Sequence, residues 1–179
     1  VKTTGDMDFY THGAAEVYVE TARFWLSRYT PEPNGDKVNL LFCKGPDEYC
    51  GITSNNLYTN MLVKENLKLS QEAAEYLYEH DRDAYIRLGI TEEETIKWKA
   101  LKNAIKLPKD PASGHWRQDD TLHLLEPVPL SNLKQGNAAS YHSVCFDRLQ
   151  RYKVIKQADV LLLMSRLPKA FTAEEKRAA

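Results

Sequence analysis

The stretch Thr11-His12-Gly13-Ala14-Ala15-Glu16-Val17-Tyr18-Val19-Glu20-Thr21-Ala22-Arg23-Phe24-Trp25-Leu26-Ser27-Arg28 brings back Ala14, Val17, Tyr18, Thr21, Phe24 and Trp25 at three- and four-residue steps. That period lines one side of an α-helix. Glu16, Glu20 and Arg23 fall on an adjoining face and read as a solvated flank with an acid-to-base pairing at i,i+3. After a loop with Pro31, Pro33, Asn34 and Gly35, the short polar run Ser54-Asn55-Asn56 is suited to cap a second helix beginning near Leu57 and running past Met61, Leu62 and Leu67. Ala73, Ala74, Leu77 and Tyr78 continue it, either unbroken or after a restart at Ser70. Beyond Gly89, Thr91-Glu92-Glu93-Glu94 has the form of a capping box for a helix that carries Trp98, Leu101, Ala104 and Ile105 inward and stops at Pro108.

Helical spacing returns in Tyr141, Val144, Cys145, Arg148, Leu149 and Tyr152, and again from Val154 to Leu167, where apolar residues fall nearly all round and predict a deeply buried helix. Strand signals are few: Lys37 to Cys43, and a short extended piece near Leu122 to Leu125. The stretch from Lys109 to Gly136, with Pro111, Gly114, Pro127 and Pro129, reads as loop. A loop of that length in a compact domain is usually functional or disordered. The expected fold class is mainly α, with long functional loops and little strand.

Composition bounds the function. The 179 residues are 42% hydrophobic and 27% charged, which suits a globular unit with a real core. Lysine plus arginine total 24 against 25 acidic residues, so there is no broad basic field for nucleic acid or an anionic membrane surface. The longest aliphatic run, Val160-Leu161-Leu162-Leu163-Met164, is far short of the roughly twenty residues that cross a bilayer. Cys43, Cys50 and Cys145 form neither a disulfide framework nor a zinc spacing, and a reducing compartment, the cytoplasm, is expected. His12, His80, His115, His123 and His142 adopt no HExxH arrangement, so no metal site is expected. The start lacks the basic and apolar regions of a signal peptide, and Thr172-Ala173-Glu174-Glu175 announces a helix just before Ala179. Residues 1–179 are therefore expected to be a single piece of a larger domain, truncated at both ends.

Three places carry candidate chemistry. Asp47 and Glu48 sit in a loop behind Gly45-Pro46 and beside Tyr49, where they read either as a site or as a turn whose acids face water. Lys156-Gln157 and Asp159 bring polar groups to the entry of the apolar Val154–Leu167 helix, either to satisfy one another or to face a cavity holding a hydrogen-bonding ligand such as a sugar. Trp116-Arg117-Gln118-Asp119-Asp120 combines an aromatic plane with hydrogen-bonding groups, as carbohydrate sites do and as polar loops do. Cys145 reads as a core residue, and Cys50 has no base nearby to make it a nucleophile.

Glu20-Thr21-Ala22-Arg23-Phe24-Trp25, Gly45-Pro46-Asp47-Glu48-Tyr49, Asn55-Asn56-Leu57-Tyr58-Thr59-Asn60 and Lys156-Gln157-Ala158-Asp159-Val160-Leu161 together, in order and spacing, resemble glycoside hydrolase family sixty-five. The resemblance spans nearly the whole chain and is loosest between Glu79 and Ser140. It implies part of an (α/α)6 barrel, a double ring of helices. It also implies an inverting disaccharide phosphorylase that converts an α-linked glucosyl sugar and inorganic phosphate to β-glucose 1-phosphate, with phosphate as co-substrate and no other cofactor. The family's general acid maps onto Glu48, and its glucosyl-contacting pair maps onto Lys156 and Gln157; no catalytic role transfers to Asp47. The full-length protein is expected as a homodimer, with phosphate ligands beyond Ala179, so that this piece alone is inactive. The sequence departs from the family's usual pattern at Cys50, where a histidine is common, and at Ser54, where an aspartate is.

One carboxyl group suffices for such a reaction. Phosphate is already a charged oxygen nucleophile and needs no second carboxylate to activate it, unlike the water of an inverting hydrolase. Glu48 must keep its proton near neutrality, which burial beside Tyr49 and an adjacent phosphate are expected to favour by raising its pKa. Two other readings stay open: a hydrolase of the same family, acid trehalase-like, and a noncatalytic helical interaction module in which Glu48 is an ordinary loop acid.

Overall fold

The computed structural model describes residues 4–135, 138–139 and 146–179. Two compact units emerge, one from Val1–Asn39 and Leu62–Ile105, the other from Leu40–Met61 and Lys106–Ala179.

The first unit is helical. The Asp6 carboxylate accepts from Phe9 N, 2.9 Å away, and opens α1 (Met7–Phe9), which runs through a π-helical turn, Tyr10–Ala14, into α2 (Ala15–Leu26). The helix is where its period placed it, but the buried stripe differs. Ala15, Val19 and Ala22 are fully buried, whereas Val17 and Phe24 are 60% and 53% exposed. Residues 15, 19 and 22 obey the i, i+4, i+7 rule as well, so the period identifies the helix without choosing between neighbouring stripes.

The long helix α3 (Leu57–His80) is unbroken, and its residues from Leu62 onward belong to this unit. Ser70, fully buried, does not restart it: its hydroxyl lies 2.8 Å from Asn66 O one turn earlier and 2.7 Å from Tyr18 O. A short α4 (Arg82–Arg87), capped by Asp81, ends in a turn that Gly89 closes at φ +61°, a conformation glycine adopts without steric cost. The Thr91 hydroxyl then accepts from Glu94 N and starts α5 (Glu92–Ala104), which buries Trp98 and Leu101; Ile105 just beyond is buried too. Both Glu94 carboxylate oxygens go to Arg23, at 2.6 and 2.9 Å, in place of the return half of a capping box. The expected Arg23–Glu20 pair is present at 2.6 Å. Arg23 also donates to Leu88 O, so this flank is a half-buried cross-link rather than a solvated face. The Glu94 hydrogen bond first, with help from Glu20 and against the opposing effect of burial, raises the Arg23 pKa above its ordinary value. The Lys37–Cys43 strand shrinks to β2 (Val38–Asn39), antiparallel to β1 (Thr30–Pro31).

The second unit is mostly loop stitched by side chains. The first turn of α3, Leu57–Met61, is capped by Asn56, whose Oδ1 accepts from Thr59 N at 3.0 Å. Leu122–Leu124 forms a 3-10 turn and not the extended piece expected, because Asp119 Oδ1 accepts from both Thr121 N and Leu122 N at 2.7 Å and bends the chain there. A second 3-10 turn, Leu130–Leu133, leads into the antiparallel pair β3 (Lys134–Gln135) and β4 (Ala138–Ala139). Tyr141, His142, Val144 and Cys145 lie outside the described residues; the helix expected there is described as α6 (Phe146–Leu149). The helix predicted from Val154 begins only at Asp159, as α7 (Asp159–Arg166). Leu163 and Met164 are buried, but Leu161 and Leu162 are 51% and 40% exposed, so α7 is amphipathic and not wholly interior. A capping box of Thr172 and Glu175 starts α8 (Ala173–Ala178), and Trp116 Nε1 donates to Glu175 at 2.9 Å.

Candidate active site

The second unit brings together the residues the sequence singled out, 108 and 109 positions apart in the chain. Lys156 Nζ donates to Glu48 Oε2 at 2.6 Å, and Gln157 Nε2 donates to Glu48 Oε1 at 2.7 Å. The Gln157 side-chain oxygen accepts from Glu48 N at 2.9 Å, so the amide grips the residue at both ends.

Asp47 makes that meeting possible. Its carboxylate is buried, with Oδ1 accepting from Lys156 N at 2.9 Å, Gln157 N at 3.4 Å and Tyr49 N at 3.1 Å. Oδ2 accepts from Gln118 Nε2 at 3.2 Å. A carboxylate paid for by so many donors can stay inside, and it welds the Lys156–Gln157 backbone to the acid loop. This is also why α7 starts late: the backbone N–H groups of residues 156 and 157 point at Asp47. Only Asp159 of the three polar groups at that helix entry is buried; Lys156 is exposed and Gln157 half-buried.

The loop is held from other sides too. Gly51 N donates to Gln150 Oε1 at 2.6 Å, and Gln150 Nε2 donates to Tyr49 O at 2.7 Å. Asn55, at φ +52°, pairs with Leu40 like a strand neighbour, its N donating to Leu40 O and its Oδ1 accepting from Leu40 N at 2.9 Å, while its Nδ2 reaches Asp120 at 2.6 Å. Gln150 carries no local sequence signal, since a lone glutamine beside a short helix looks like surface. The Trp116–Asp120 run serves this scaffold: Arg117 pairs with Asp110, Gln118 with Asp47, Asp119 with the following turn and Asp120 with Asn55.

Glu48 departs from expectation in one respect. Its side chain is 52% exposed, and the hydrogen bonds from Lys156 first and Gln157 second hold its carboxyl below the usual glutamate range, where burial had been expected to raise it. Beside the loop lies a cavity of about 240 Å³ walled by Asp47, Cys50, Ile52, Asp119, Leu149 and Tyr152 among others; Glu48, Lys156 and Gln157 are not in its walls. Burial pushes the Cys50 thiol up to about 11, which keeps it protonated and un-nucleophilic. Among the described residues no cluster of histidine, cysteine and carboxylates could hold a metal ion, and no helix is long and apolar enough to cross a membrane.

Known proteins resemble this chain along most of its length. A kojibiose phosphorylase of Halothermothrix orenii is 31% identical over 179 residues, covering 98% of this chain and 23% of that protein. An alpha,alpha-trehalose phosphorylase of Geobacillus stearothermophilus is 34% identical over 166 residues, covering 89% of this chain and 21% of that protein. The chain thus spans less than a quarter of the length of these relatives. The solved structure of a kojibiose phosphorylase candidate from the human microbiome superposes with a TM-score of 0.81 at 23% identity, over 96% of this chain and 24% of that one. The fold class is the one expected, mainly α and part of an (α/α)6 barrel. The sequence profile of the Glycosyl hydrolase family 65 central catalytic domain matches residues 1–179 in full, and the chain belongs to that family.

Proposed function

We propose that the protein containing this chain is an inverting disaccharide phosphorylase that transfers a glucosyl unit from an α-glucoside to inorganic phosphate, with Glu48 as general acid. The observation that carries the reading is the Glu48 carboxylate within 2.6 and 2.7 Å of the Lys156 ammonium and the Gln157 amide, all framed by Asp47. The relatives named as kojibiose and trehalose phosphorylases support it at family level.

In the proposed reaction a phosphate oxygen attacks the anomeric carbon from the face opposite the glycosidic bond. That bond breaks, its oxygen takes the Glu48 proton, and the products are β-glucose 1-phosphate and the free acceptor sugar. Lys156 and Gln157 turn from Glu48 to the hydroxyls of the glucosyl ring and orient it for attack. The same exchange prepares the acid. The two hydrogen bonds that depress the Glu48 pKa are withdrawn while the negative charge of phosphate arrives, and both changes favour the protonated carboxyl. The reaction needs no metal or organic cofactor.

Hydrolysis would instead need a second carboxylate to activate water. Asp47 is not that base: it is buried and committed to backbone N–H groups. The deciding experiment incubates the full-length protein with maltose, trehalose, kojibiose and nigerose, with and without phosphate. Phosphate-dependent release of β-glucose 1-phosphate from at least one of them is expected; release of glucose alone, at the same rate with and without phosphate, would make it a hydrolase.

A further inference from the structure

Behind the loop that carries Glu48 lies a second carboxylate without an assigned task. Asp159 is fully buried at the start of α7. Its Oδ2 accepts from Asn56 Nδ2 at 2.8 Å, and its Oδ1 is buried with no hydrogen-bond partner among the described residues. Asn56 is itself committed, since its Oδ1 caps α3 through Thr59 N. The Asp159–Asn56 pair presses flat against Gly45: a Cβ there would come within 2.3 Å of both Asp159 Oδ2 and Asn56 Nδ2. Only a residue without a side chain lets the acid loop leave at that point, three positions before Glu48.

We propose that Asp159 is a positioning residue for the general acid, fixing through Asn56 and the bare face of Gly45 where the Gly45–Glu48 loop stands relative to Lys156 and Gln157. This rests on the reading of Glu48 as general acid. Asp159 acts on the loop and not on the sugar, because no part of it is exposed. The titratable groups turned toward it are Asp47, Asp119 and Cys50. Desolvation first, then the like charge of Asp47, push its carboxyl up to about 6, so the second oxygen can carry a proton at no great cost. An acid set in place by its loop matters in the transition state, when the proton moves, more than in the binding of the sugar.

The test uses the full-length protein, with the phosphorolysis of its best disaccharide as the assay and circular dichroism to verify folding. Asp159→Ala should lower kcat by about tenfold or more while changing the KM for the sugar by less than about threefold. Asp159→Asn keeps the shape and an acceptor for Asn56, and should recover most of that loss. Gly45→Ala, which pushes the pair away from the other side, should lower kcat by a similar factor. If Asp159→Ala does not fold, Gly45→Ala decides. A folded Asp159→Ala or Gly45→Ala protein with kcat within about twofold of wild type overturns the proposal, as does an Asp159→Asn protein no better than Asp159→Ala. Glu48→Gln, assayed alongside, separates the two ideas: an active Glu48→Gln protein overturns the assignment of the acid, whereas an inactive one with unaffected Asp159 and Gly45 variants overturns only the role of Asp159.

Discussion

Both units bury apolar side chains, but they differ in the polar ones they bury with them. The first packs Ala15, Val19, Ala22, Leu67, Ala73, Ala74, Leu77 and Trp98, and among the described residues Ser70 is its only buried polar side chain. The second buries Asp47, Thr53, Asn55, Asn56, Asn60, Gln118, Asp119 and Asp159. An apolar core is tolerant, because any side chain of about the right volume serves. A polar interior is demanding, because every group must meet its partner or cost the free energy of an unmade hydrogen bond. The unit that pays this cost is the one that holds Glu48, Lys156 and Gln157 to one geometry.

The contrast can be broken most severely at the site. Glu48→Gln in the full-length protein should lower the kcat for disaccharide phosphorolysis by about a hundredfold to ten-thousandfold with no loss of melting temperature, as steady-state kinetics and calorimetry would show. Next in size is the apolar unit, where Leu67→Ala should cost about 2–5 kcal/mol of stability in denaturant titration, nearly independent of pH. In the polar unit, Asn56→Leu strands Asp159 Oδ2 and Thr59 N and should cost about 2–3 kcal/mol, with kcat falling along with it.

A pH titration sharpens the comparison further. The Asp159 carboxyl lies at about 6 in the fold against 3.8 for an unperturbed aspartate, so its protonated form is favoured by folding. That contribution is complete below about 3.8 and is lost as the pH rises through about 6. The melting temperature should therefore decline across that window, and the decline should shrink in Asp159→Asn while Leu67→Ala retains it. The smallest effect is expected at the rim of the helical unit, where Glu94→Gln should cost about 1 kcal/mol by weakening the pair with Arg23.

What the sequence made legible follows that division only in part. Periodicity and capping residues located α2, α3, α5 and α8, because those signals are local: Asn56, Thr91 and Thr172 each bind an N–H three residues on. Periodicity did not choose the buried stripe of α2, since Ala15, Val19 and Ala22 keep the same period as the residues beside them. In the polar unit, local signals found the caps at Asn56 and Thr172 but failed elsewhere. The start of α7 is set by Asp47 more than a hundred residues away, and the turn at Leu122 by Asp119. Glu48, Lys156 and Gln157 stood out as candidates from their local settings, but their roles came from the motifs they share with a family. No sequence signal announced that Lys156 and Gln157 would hydrogen-bond Glu48 and hold its carboxyl below the usual range.

The central claim is that Glu48 gives its proton to the departing sugar oxygen. The most direct measurement compares wild type and Glu48→Gln of the full-length protein on the accepted disaccharide and on α-glucosyl fluoride, whose leaving group departs without protonation. The account predicts a large loss on the disaccharide and a far smaller one on the fluoride. An equal loss on both donors would contradict it.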